Sequence, residues 1–516
     1  MTLRQAILLA AITPLLWALG SEQDLLLRSN VRVVEVSIVA TDAKGAPVEG
    51  LQAKDLQIWD NGKEQTIASF EKIRSAMPAI AAGLPPRTYS NRIGNAGQIG
   101  KAGKPQILSL ILLDAINTKY RLQTSSRTAV ENILAKMGPE ELVAVYALGA
   151  HLTTIHDFSA DKASLLAKVK AYPGESSAYE SSLPDFGFGE SGHTDGRPPS
   201  VMAALDAERI LGTLKALEII AGQMKGIEGR KNLLWVSGGF PMATDGFFGE
   251  NPRSPYFQQF TPQVRRSLSI LSDANVSVYP IDARGLPAGK NSTGAAANIV
   301  TMKVVADATG GKAFYNRNDI SEGVRTALDD SRVVYELTYT PQEVAADGSY
   351  HAIRVACSRK DVHLRYRQGY NAPGKEEPDA VGSGDRLKEL VAAPLDASEI
   401  GIQATLEPAS DASNEVHIVV HIDPTGLNLI PNAEKWTGAL RLEAMQLGAA
   451  GELLGGVQQS AELNLEQASY RRALQEGLPL DIKIPRAPDA TAVRIGVVDE
   501  RGGHVGSVSV PLTPAH

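Results

Sequence analysis

The chain contains a single cysteine, Cys357, among its 516 residues. A disulfide within one molecule is therefore impossible, and the folded state must be stabilised by burial of its core. Cys357 lies in the alternating segment HAIRVACSRK. That alternation predicts a half-buried position on a strand, rather than a reactive thiol.

Positive charge is not in excess. The formal net charge is -7 at pH 7, and no stripe of Lys and Arg with interleaved aromatic residues occurs along the sequence. Because contacts to a phosphate backbone need clustered cations, this balance argues against nucleic acid as a partner.

Long apolar runs are lacking after the first twenty residues. Residues 1–20, MTLRQAILLAAITPLLWALG, combine Arg4 with an apolar core and a small-x-small end, which is the pattern of a cleaved signal peptide. The apolar core is shorter than the ~20 residues of a membrane span. The sequence predicts a secreted, periplasmic or cell-envelope protein with no transmembrane segment after removal of the signal.

Two separated segments have the two-residue period of β-strands. Residues 30–74 alternate in this way and turn at Asn61-Gly62, a strong hairpin signal. Residues 331–370 return to the same period. Because two or three strands cannot bury a core alone, we expect the two segments to pair into one β-sandwich. Residues 75–105 are rich in Ala, Gly and Pro, which predicts a linker.

Between these flanks, residues 106–330 alternate strands with helices, which indicates parallel pairing through right-handed crossovers. The stretch QILSLILLDAIN is an almost continuous apolar run that ends on Asp114. Such a run predicts a central strand covered on both faces. The sequence therefore predicts an α/β unit, a doubly wound and mostly parallel sheet, inserted in the β-sandwich formed by its flanks.

The rest of the chain is predicted to be all β. Residues 371–385 have the composition of a linker. Residues 386–516 contain a succession of short strands with turn signals, which predicts a C-terminal, antiparallel, β-sandwich-like domain.

Four stretches occur together in order: LLDAINT, EGRKNLLWVSGGFP, SDANVSVYPIDARGL, and ADATGGKAFYNRNDI followed by ALDDSRVVYELTY. As a set they resemble the bacterial VWFA-related domain proteins, the acidobacterial-type branch of the von Willebrand factor type A superfamily. The likeness covers residues from about 30 to 370, and it implies a type-A-like sheet for residues 106–330.

The resemblance also implies a metal-ion-dependent adhesion site, in which Asp-x-Ser-x-Ser, a Thr and a further Asp hold a divalent cation such as Mg²⁺. Asp114 matches the first position and Thr118 the last, but Ile116 stands where the middle hydroxyl belongs. The third-loop aspartate is replaced by Ser237. Thr213 is the candidate for the second-loop threonine, although it lies in a helical pattern.

The implied metal site, Asp114 with Thr118, is thus degenerate. One carboxylate with one or two hydroxyls carries little charge for dehydrating Mg²⁺, and Asp245 and Asn117 are the residues that could compensate. The alternative is that Asp114 caps the following turn and accepts hydrogen bonds from backbone N–H groups. No other cofactor is indicated.

Other polar residues have simpler explanations. His151 and His156 have an odd spacing that sends them to opposite faces of a short strand. Asp282 is expected to form an internal ion pair with Arg284. The acidic residues of segment 175–195 fit a solvated loop better than a Ca²⁺ cage.

We expect a non-enzymatic binding or adhesion-type protein that recognises a protein or an extracellular matrix component. The binding surface is predicted at the carboxyl edge of the parallel sheet, lined by Asp114, Asn117, Thr118, Ser237 and Gly238.

Two alternatives remain open. A secreted hydrolase using Ser237 would need a second carboxylate or an imidazole within ~3 Å of its hydroxyl. A structural component of an envelope assembly would need a broad apolar patch on the C-terminal domain.

Overall fold

The computed structural model describes residues 33–74, 84–92, 108–135, 137–138, 141–176, 199–227, 229–239, 255–284, 293–316, 325–327, 329–330, 333–341, 349–372, 383–408, 414–432, 434–449 and 451–512. The predicted signal peptide, Asp245, and the acidic segment beyond residue 176 lie outside these ranges. None of the described helices is both long enough and apolar enough to span a membrane.

The strands are, in chain order, β1 (Val34–Thr41), β2 (Leu56–Asp60), β3 (Lys63–Gln65), β4 (Ile67–Arg74), β5 (Thr88–Ser90), β6 (Leu108–Asp114), β7 (Leu142–Leu148), β8 (Leu152–Ser159), β9 (Lys231–Ser237), β10 (Val276–Asp282), β11 (Val333–Tyr339), β12 (Tyr350–Cys357), β13 (His363–Arg365), β14 (Gly369–Asn371), β15 (Ile402–Leu406), β16 (Glu415–Ile422), β17 (Ile430–Asn432), β18 (Lys435–Leu447), β19 (Leu453–Glu466), β20 (Leu478–Pro485), β21 (Ala492–Asp499) and β22 (Val505–Pro511). The α-helices are α1 (Tyr120–Leu134), α2 (Lys162–Ala171), α3 (Pro199–Met224), α4 (Pro255–Asp273), α5 (Thr293–Thr309), α6 (Ser383–Ala392) and α7 (Gln467–Glu476).

A mixed α/β unit holds a five-stranded sheet in the order β10-β9-β6-β7-β8. The strands β10, β9, β6 and β7 are parallel, and β8 is antiparallel to β7. The predicted mostly parallel sheet is therefore confirmed. Every residue of β6 is buried, as its apolar run predicts for a strand with helices on both faces. One face packs mainly on α3, α4 and α5, and the other on α1 and α2.

The strand order determines where the chain changes direction across the sheet. From β6 the chain moves to β7 and β8 on one side, and it then crosses to β9 and β10 on the other. The carboxyl ends of β6 and β9 therefore lie at a topological switch point, the place where open α/β sheets bind their ligands. Asp114 and Ser237 are register partners at that point.

The strands that flank the α/β unit pair with each other. Strand β11 lies between β1 and β4, and β12 pairs with β2. The two resulting sheets, β13-β1-β11-β4 and β14-β12-β2-β3, share one cluster of buried apolar side chains. The β2–β3 hairpin turns at Asn61 and Gly62, both with positive φ, as its sequence predicts. Cys357 is partly buried at the end of β12.

The C-terminal residues form two antiparallel sheets, β20-β16-β15-β5 and β17-β18-β21-β22, with β19 paired to β18. One edge strand comes from far away in the sequence. Strand β5 lies within residues 75–105, where the composition predicts only a linker, and it pairs with β15. The prediction that residues 75–105 form only a linker is therefore wrong at β5. A three-residue strand between Gly-rich stretches is too short to show a period.

The flanking β unit contacts the α/β unit at the amino edge of the parallel sheet. Asn275, which immediately precedes β10, donates from Nδ2 to the carboxylate of Glu35 at 2.5 Å and to the hydroxyl of Ser37 at 2.9 Å. Arg367 donates to the backbone carbonyls of Ser272 and Glu35 at 2.8 and 2.7 Å. These contacts attach the β1-containing sheet to the end of the unit opposite Asp114.

The C-terminal unit contacts the residues just after α3, which also lie toward the amino edge. The Gly226 carbonyl accepts from Arg92 at 2.9 Å, and the Gly226 N–H donates to Ser398 at 3.1 Å. Lys225 forms an ion pair with Glu399 at 2.5 Å. Among the described residues, both β units therefore contact the α/β unit away from the carboxyl edge.

Asn91 fastens the β5 segment to the C-terminal unit. Its side chain donates to the carbonyls of Ala397 and Ile400 at 2.7 and 2.9 Å and accepts from the amide of Ile402 at 2.8 Å. We expect Asn91→Ala to lower the free energy of unfolding by about 1–3 kcal/mol, because the buried backbone groups lose their partner. Hydrogen exchange of the β15 amides should become faster.

The matched control is Asn464→Ala, which removes an exposed asparagine from β19. It should leave exchange in β15 unchanged. Equal exchange rates for wild type and Asn91→Ala would show that the β5 segment does not stabilise the C-terminal unit.

Candidate functional site

Asp114 ends β6 with a buried carboxylate that is surrounded by donors. Its Oδ1 accepts from the backbone N–H and the side-chain Nδ2 of Asn117, both at 3.1 Å. Its Oδ2 accepts from the Trp235 indole at 2.8 Å, from the Ser237 hydroxyl at 2.7 Å and from Asn117 Nδ2 at 2.8 Å. The backbone contact is the turn cap that the sequence offers as the alternative to a metal ligand.

Asn117 extends this network to α3. Its Nδ2 also donates to the hydroxyl of Thr213 at 2.9 Å, and its Oδ1 accepts from Nη1 of Arg209 at 2.7 Å. Thr213 in turn donates to the carbonyl of Arg209 at 2.8 Å. The amide of Asn117 thus lies between a carboxylate and a guanidinium, and each end faces the charge that it prefers.

The loops that follow β6 and β9 are held against each other. The Gly238 N–H donates to the hydroxyl of Thr118 at 2.7 Å. A Cβ at position 238 would lie 3.2 Å from the Thr118 Cα, and one at Gly239 would lie 3.2 Å from the carbonyl oxygen of Asn117. These distances are short for a methyl group, so glycine permits the close approach of the two loops.

Gln123 on α1 attaches a third segment to the same edge. Its Nε2 donates to the carbonyls of Glu175 and Thr118 at 2.7 and 3.0 Å, and its Oε1 accepts from the Glu175 N–H at 3.0 Å. The carboxylate of Glu175 accepts from the backbone N–H of Ala150 at 3.2 Å. The loops after β6 and β7 are therefore both linked to residue 175.

The structure brings the predicted edge residues together, but most of them are covered. Asp114, Asn117, Thr118 and Ser237 are 3%, 2%, 2% and 0% exposed, respectively, and Gly238 is partly exposed. The expectation that these side chains line a surface facing a partner needs correcting on this point. They lie at the carboxyl edge and shape its loops from beneath.

Exposed side chains lie at the start of α1 and after β7. Tyr120, the first residue of α1, is 51% exposed, and His151 is exposed in the turn between β7 and β8. The sequence analysis did not single out Tyr120. Its position two residues after Thr118, just beyond the predicted edge, is the signal that could have identified it.

Thr213 and Arg209 are the polar residues that the sequence placed least well. Both lie inside α3, and their spacing of four residues places them on one face of the helix. Although Thr213 lies inside a helix, its hydroxyl contacts Asn117 of the Asp114 network. Arg209 was not predicted, because its burial and its contact with Asn117 depend on how α3 packs against the loop after β6.

The remaining polar candidates have local partners. Asp282 forms the predicted ion pair with Arg284, at 2.6 Å. His156 contacts the hydroxyl of Ser164 at 2.8 Å and the carbonyl of Asp157 at 2.6 Å. Among the described residues, no group of three or more His, Cys, Asp and Glu side chains is arranged to hold a metal ion.

Similarity to known proteins is found among solved structures. No protein-family model and no curated protein matches the chain. It is similar to a solved von Willebrand factor type A protein from Catenulispora acidiphila, at 10% identity, over 66% of this chain and 81% of that chain, with a TM-score of 0.26. For BatB from Bacteroides thetaiotaomicron, the values are 12% identity, 44% and 98% coverage, and a TM-score of 0.24.

The pilus adhesin SpaC from Lactobacillus rhamnosus GG is similar at 10% identity, over 78% of this chain and 54% of that chain, with a TM-score of 0.25. TM-scores in this range carry no argument about activity. The fold of the α/β unit is assigned from its own strand order and register.

Burial raises the pKa of Asp114 above its ordinary value of 3.8, and hydrogen bonds from Asn117, Ser237 and Trp235 oppose that rise. A carboxyl group with a raised pKa in the folded state stabilises the fold when it is protonated, and that contribution is lost as the pH rises through the folded pKa. We therefore expect the stability of wild type relative to Asp114→Asn to fall as the pH rises above 3.8.

Urea unfolding at a series of pH values measures this difference. The exposed residue Asp489 provides the control, since Asp489→Asn should give a curve parallel to that of wild type. Parallel curves for wild type and Asp114→Asn would contradict the assignment.

Proposed function

We propose that this chain is an exported, non-enzymatic binding protein of the adhesion type. Its partner, a protein or an extracellular matrix component, docks on the carboxyl edge of the parallel sheet. The observation that supports this proposal most directly is the buried polar network at the switch point between β6 and β9, where open α/β sheets bind ligands.

The network is suited to hold a binding surface in shape. The hydroxyl of Thr118, which accepts from Gly238, joins the loops after β6 and β9. Gln123 joins the loop after β6 to Glu175, which in turn accepts from Ala150 in the loop after β7. Loops that are fixed before binding lose less conformational entropy when a partner docks. Recognition would then depend on loop shape and on exposed residues such as Tyr120.

The arrangement of the units fits the same proposal. In our interpretation, the α/β unit is inserted in a β-sandwich formed by residues 30–74 and 331–370, and the C-terminal domain packs beside it. The hydrogen bonds of Asn275 and Gly226 to the two β units lie toward the amino edge. The carboxyl edge would thus point away from the rest of the molecule, as a docking surface requires.

Tyr120 is the first residue to test, because tyrosine contributes large contact area at interfaces at a small entropic cost. We expect Tyr120→Ala to weaken binding by about tenfold or more, the effect of an interface anchor. Surface plasmon resonance of the purified protein over immobilised fibronectin, collagen and laminin is the measurement.

The control is Tyr350→Ala, which removes a tyrosine that is 57% exposed on β12, away from the carboxyl edge. It should leave the affinity unchanged. Equal losses for the two variants would contradict the proposal that the carboxyl edge is the docking surface. No binding of wild type to any of the three proteins would exclude them as the partner.

One observation favours a second candidate, a hydrolase. The hydroxyl of Ser237 lies 2.7 Å from Oδ2 of Asp114, so the carboxylate that a hydrolase requires is within reach. Against catalysis, Ser237 is 0% exposed, and its Oγ also contacts the backbone of Gly239. Among the described residues, it has no contact with an imidazole.

A fluorophosphonate probe that labels activated serines separates these two functions, because the binding function requires no activated hydroxyl. We expect no adduct at Ser237 by mass spectrometry after treatment of the native protein, with trypsin labelled in parallel as the positive control. Stoichiometric labelling that is lost in Ser237→Ala would establish the hydrolase instead.

For the envelope-assembly alternative, the described C-terminal unit exposes the large apolar side chains of Ile430 and Leu453. Their strands pair with opposite ends of β18. These two side chains therefore do not combine into the broad patch that this alternative requires.

A further inference from the structure

The carboxylate of Asp114 does not fit the Mg²⁺ ion that the resemblance to type A domains implies. A carboxylate has about four lone-pair sites, and four donor groups already converge on Asp114: the backbone N–H and Nδ2 of Asn117, the Trp235 indole and the Ser237 hydroxyl. Two of the donors, the Trp235 indole and the backbone N–H of Asn117, belong to rigid groups. A metal ion could reach Asp114 only by displacing them.

The neighbouring ligand positions do not fit a metal either. Ile116, at the position of the middle hydroxyl, is packed in the apolar cluster of α3 and the sheet. The hydroxyl of Thr118 accepts a hydrogen bond from the backbone of Gly238. Mg²⁺ prefers six oxygen ligands and usually keeps several waters, and these residues supply neither the oxygens nor the open positions.

A positive charge is nevertheless present. The guanidinium of Arg209 is 7% exposed and donates to Oδ1 of Asn117, whose Nδ2 donates to both oxygens of Asp114. The amide thus connects a buried cation to a buried anion. In surroundings of low dielectric, such a chain is polarised from end to end, which strengthens each of its hydrogen bonds.

We propose that Arg209 is a built-in cation that replaces the divalent metal at the carboxyl edge. Its charge, relayed by the amide of Asn117, balances Asp114 and keeps the loops after β6 and β9 in place. The edge is therefore assembled without Mg²⁺ or Ca²⁺, and its function is insensitive to chelators. This inference concerns the assembly of the site and holds whichever molecule docks there.

Two measurements on the full chain test this proposal, and neither uses a partner. The first is calorimetric titration of MnCl₂ into wild type, for which we expect no saturable binding. Saturable binding that disappears in Asp114→Asn would overturn the proposal. If Asp114→Asn fails to fold, saturable Mn²⁺ binding by wild type that is abolished by an equal concentration of MgCl₂ would overturn the proposal in the same way.

The second measurement is a double-mutant cycle of melting temperatures. Arg209→Met keeps the apolar stem and removes the charge, and we expect it to lower the melting temperature by about 4 °C or more. In the Asp114→Asn background the same substitution should cost much less, because the anion that needs balancing is gone. Additive losses would show that Arg209 fills space only.

Two further variants separate the contribution of the Arg209 charge to stability from the contribution of its packing. Arg209→Lys keeps a cation and should retain more stability than Arg209→Met. Arg325→Met removes an arginine whose side chain is 57% exposed, and it should leave the melting temperature unchanged. Equal melting temperatures for Arg209→Lys and Arg209→Met would overturn the charge role.

Discussion

The carboxyl edge of this protein depends on one buried carboxylate whose acceptor sites are already occupied by hydrogen-bond donors. Asp114 is 3% exposed, and removing a carboxylate from water carries a large desolvation cost unless hydrogen bonds replace the lost solvent. The donors come from the loop after β6 and from β9. The side chain of Asn117 links them to α3, because it donates to Thr213 and accepts from Arg209. One carboxylate thereby connects three elements that are distant in the sequence.

This connection explains why the edge is built from residues that do not face solvent. The buried groups determine the positions of the loops, and the loops present other side chains, such as Tyr120, on the surface. The two β units contact the opposite end of the α/β unit through Asn275 and Gly226. These contacts lie at the end of the parallel sheet opposite Asp114.

The sequence predicted those parts of the structure that local sequence patterns determine. The apolar run of β6, the Asn-Gly hairpin and the alternation of strands and helices each follow from a period or a turn residue, and each is present. The sequence also placed Asp114 and Ser237 at one edge, because parallel strands end together. It could not show that these side chains are covered, since burial depends on how loops from distant segments pack over them.

Contacts between residues that are far apart in the sequence could not be predicted from local sequence patterns. Strand β5 joins the C-terminal unit more than 300 residues away in sequence, as the contact of Asn91 with Ile402 shows. Arg209 reaches Asn117 across 92 positions, and a helical period gives no indication of that contact. The departures from the type A metal motif at Ile116 and Ser237 were visible in the sequence, whereas the cation that accompanies them was not.

The central claim is that a guanidinium and an amide, rather than a metal ion, organise the carboxyl edge. A crystal structure grown in excess MnCl₂, with anomalous data collected for manganese, examines this most directly. The account predicts no anomalous peak at Asp114, with the Asn117 amide placed between Asp114 and Arg209. An anomalous peak bonded to Asp114, with Asn117 turned away from it, would contradict the account.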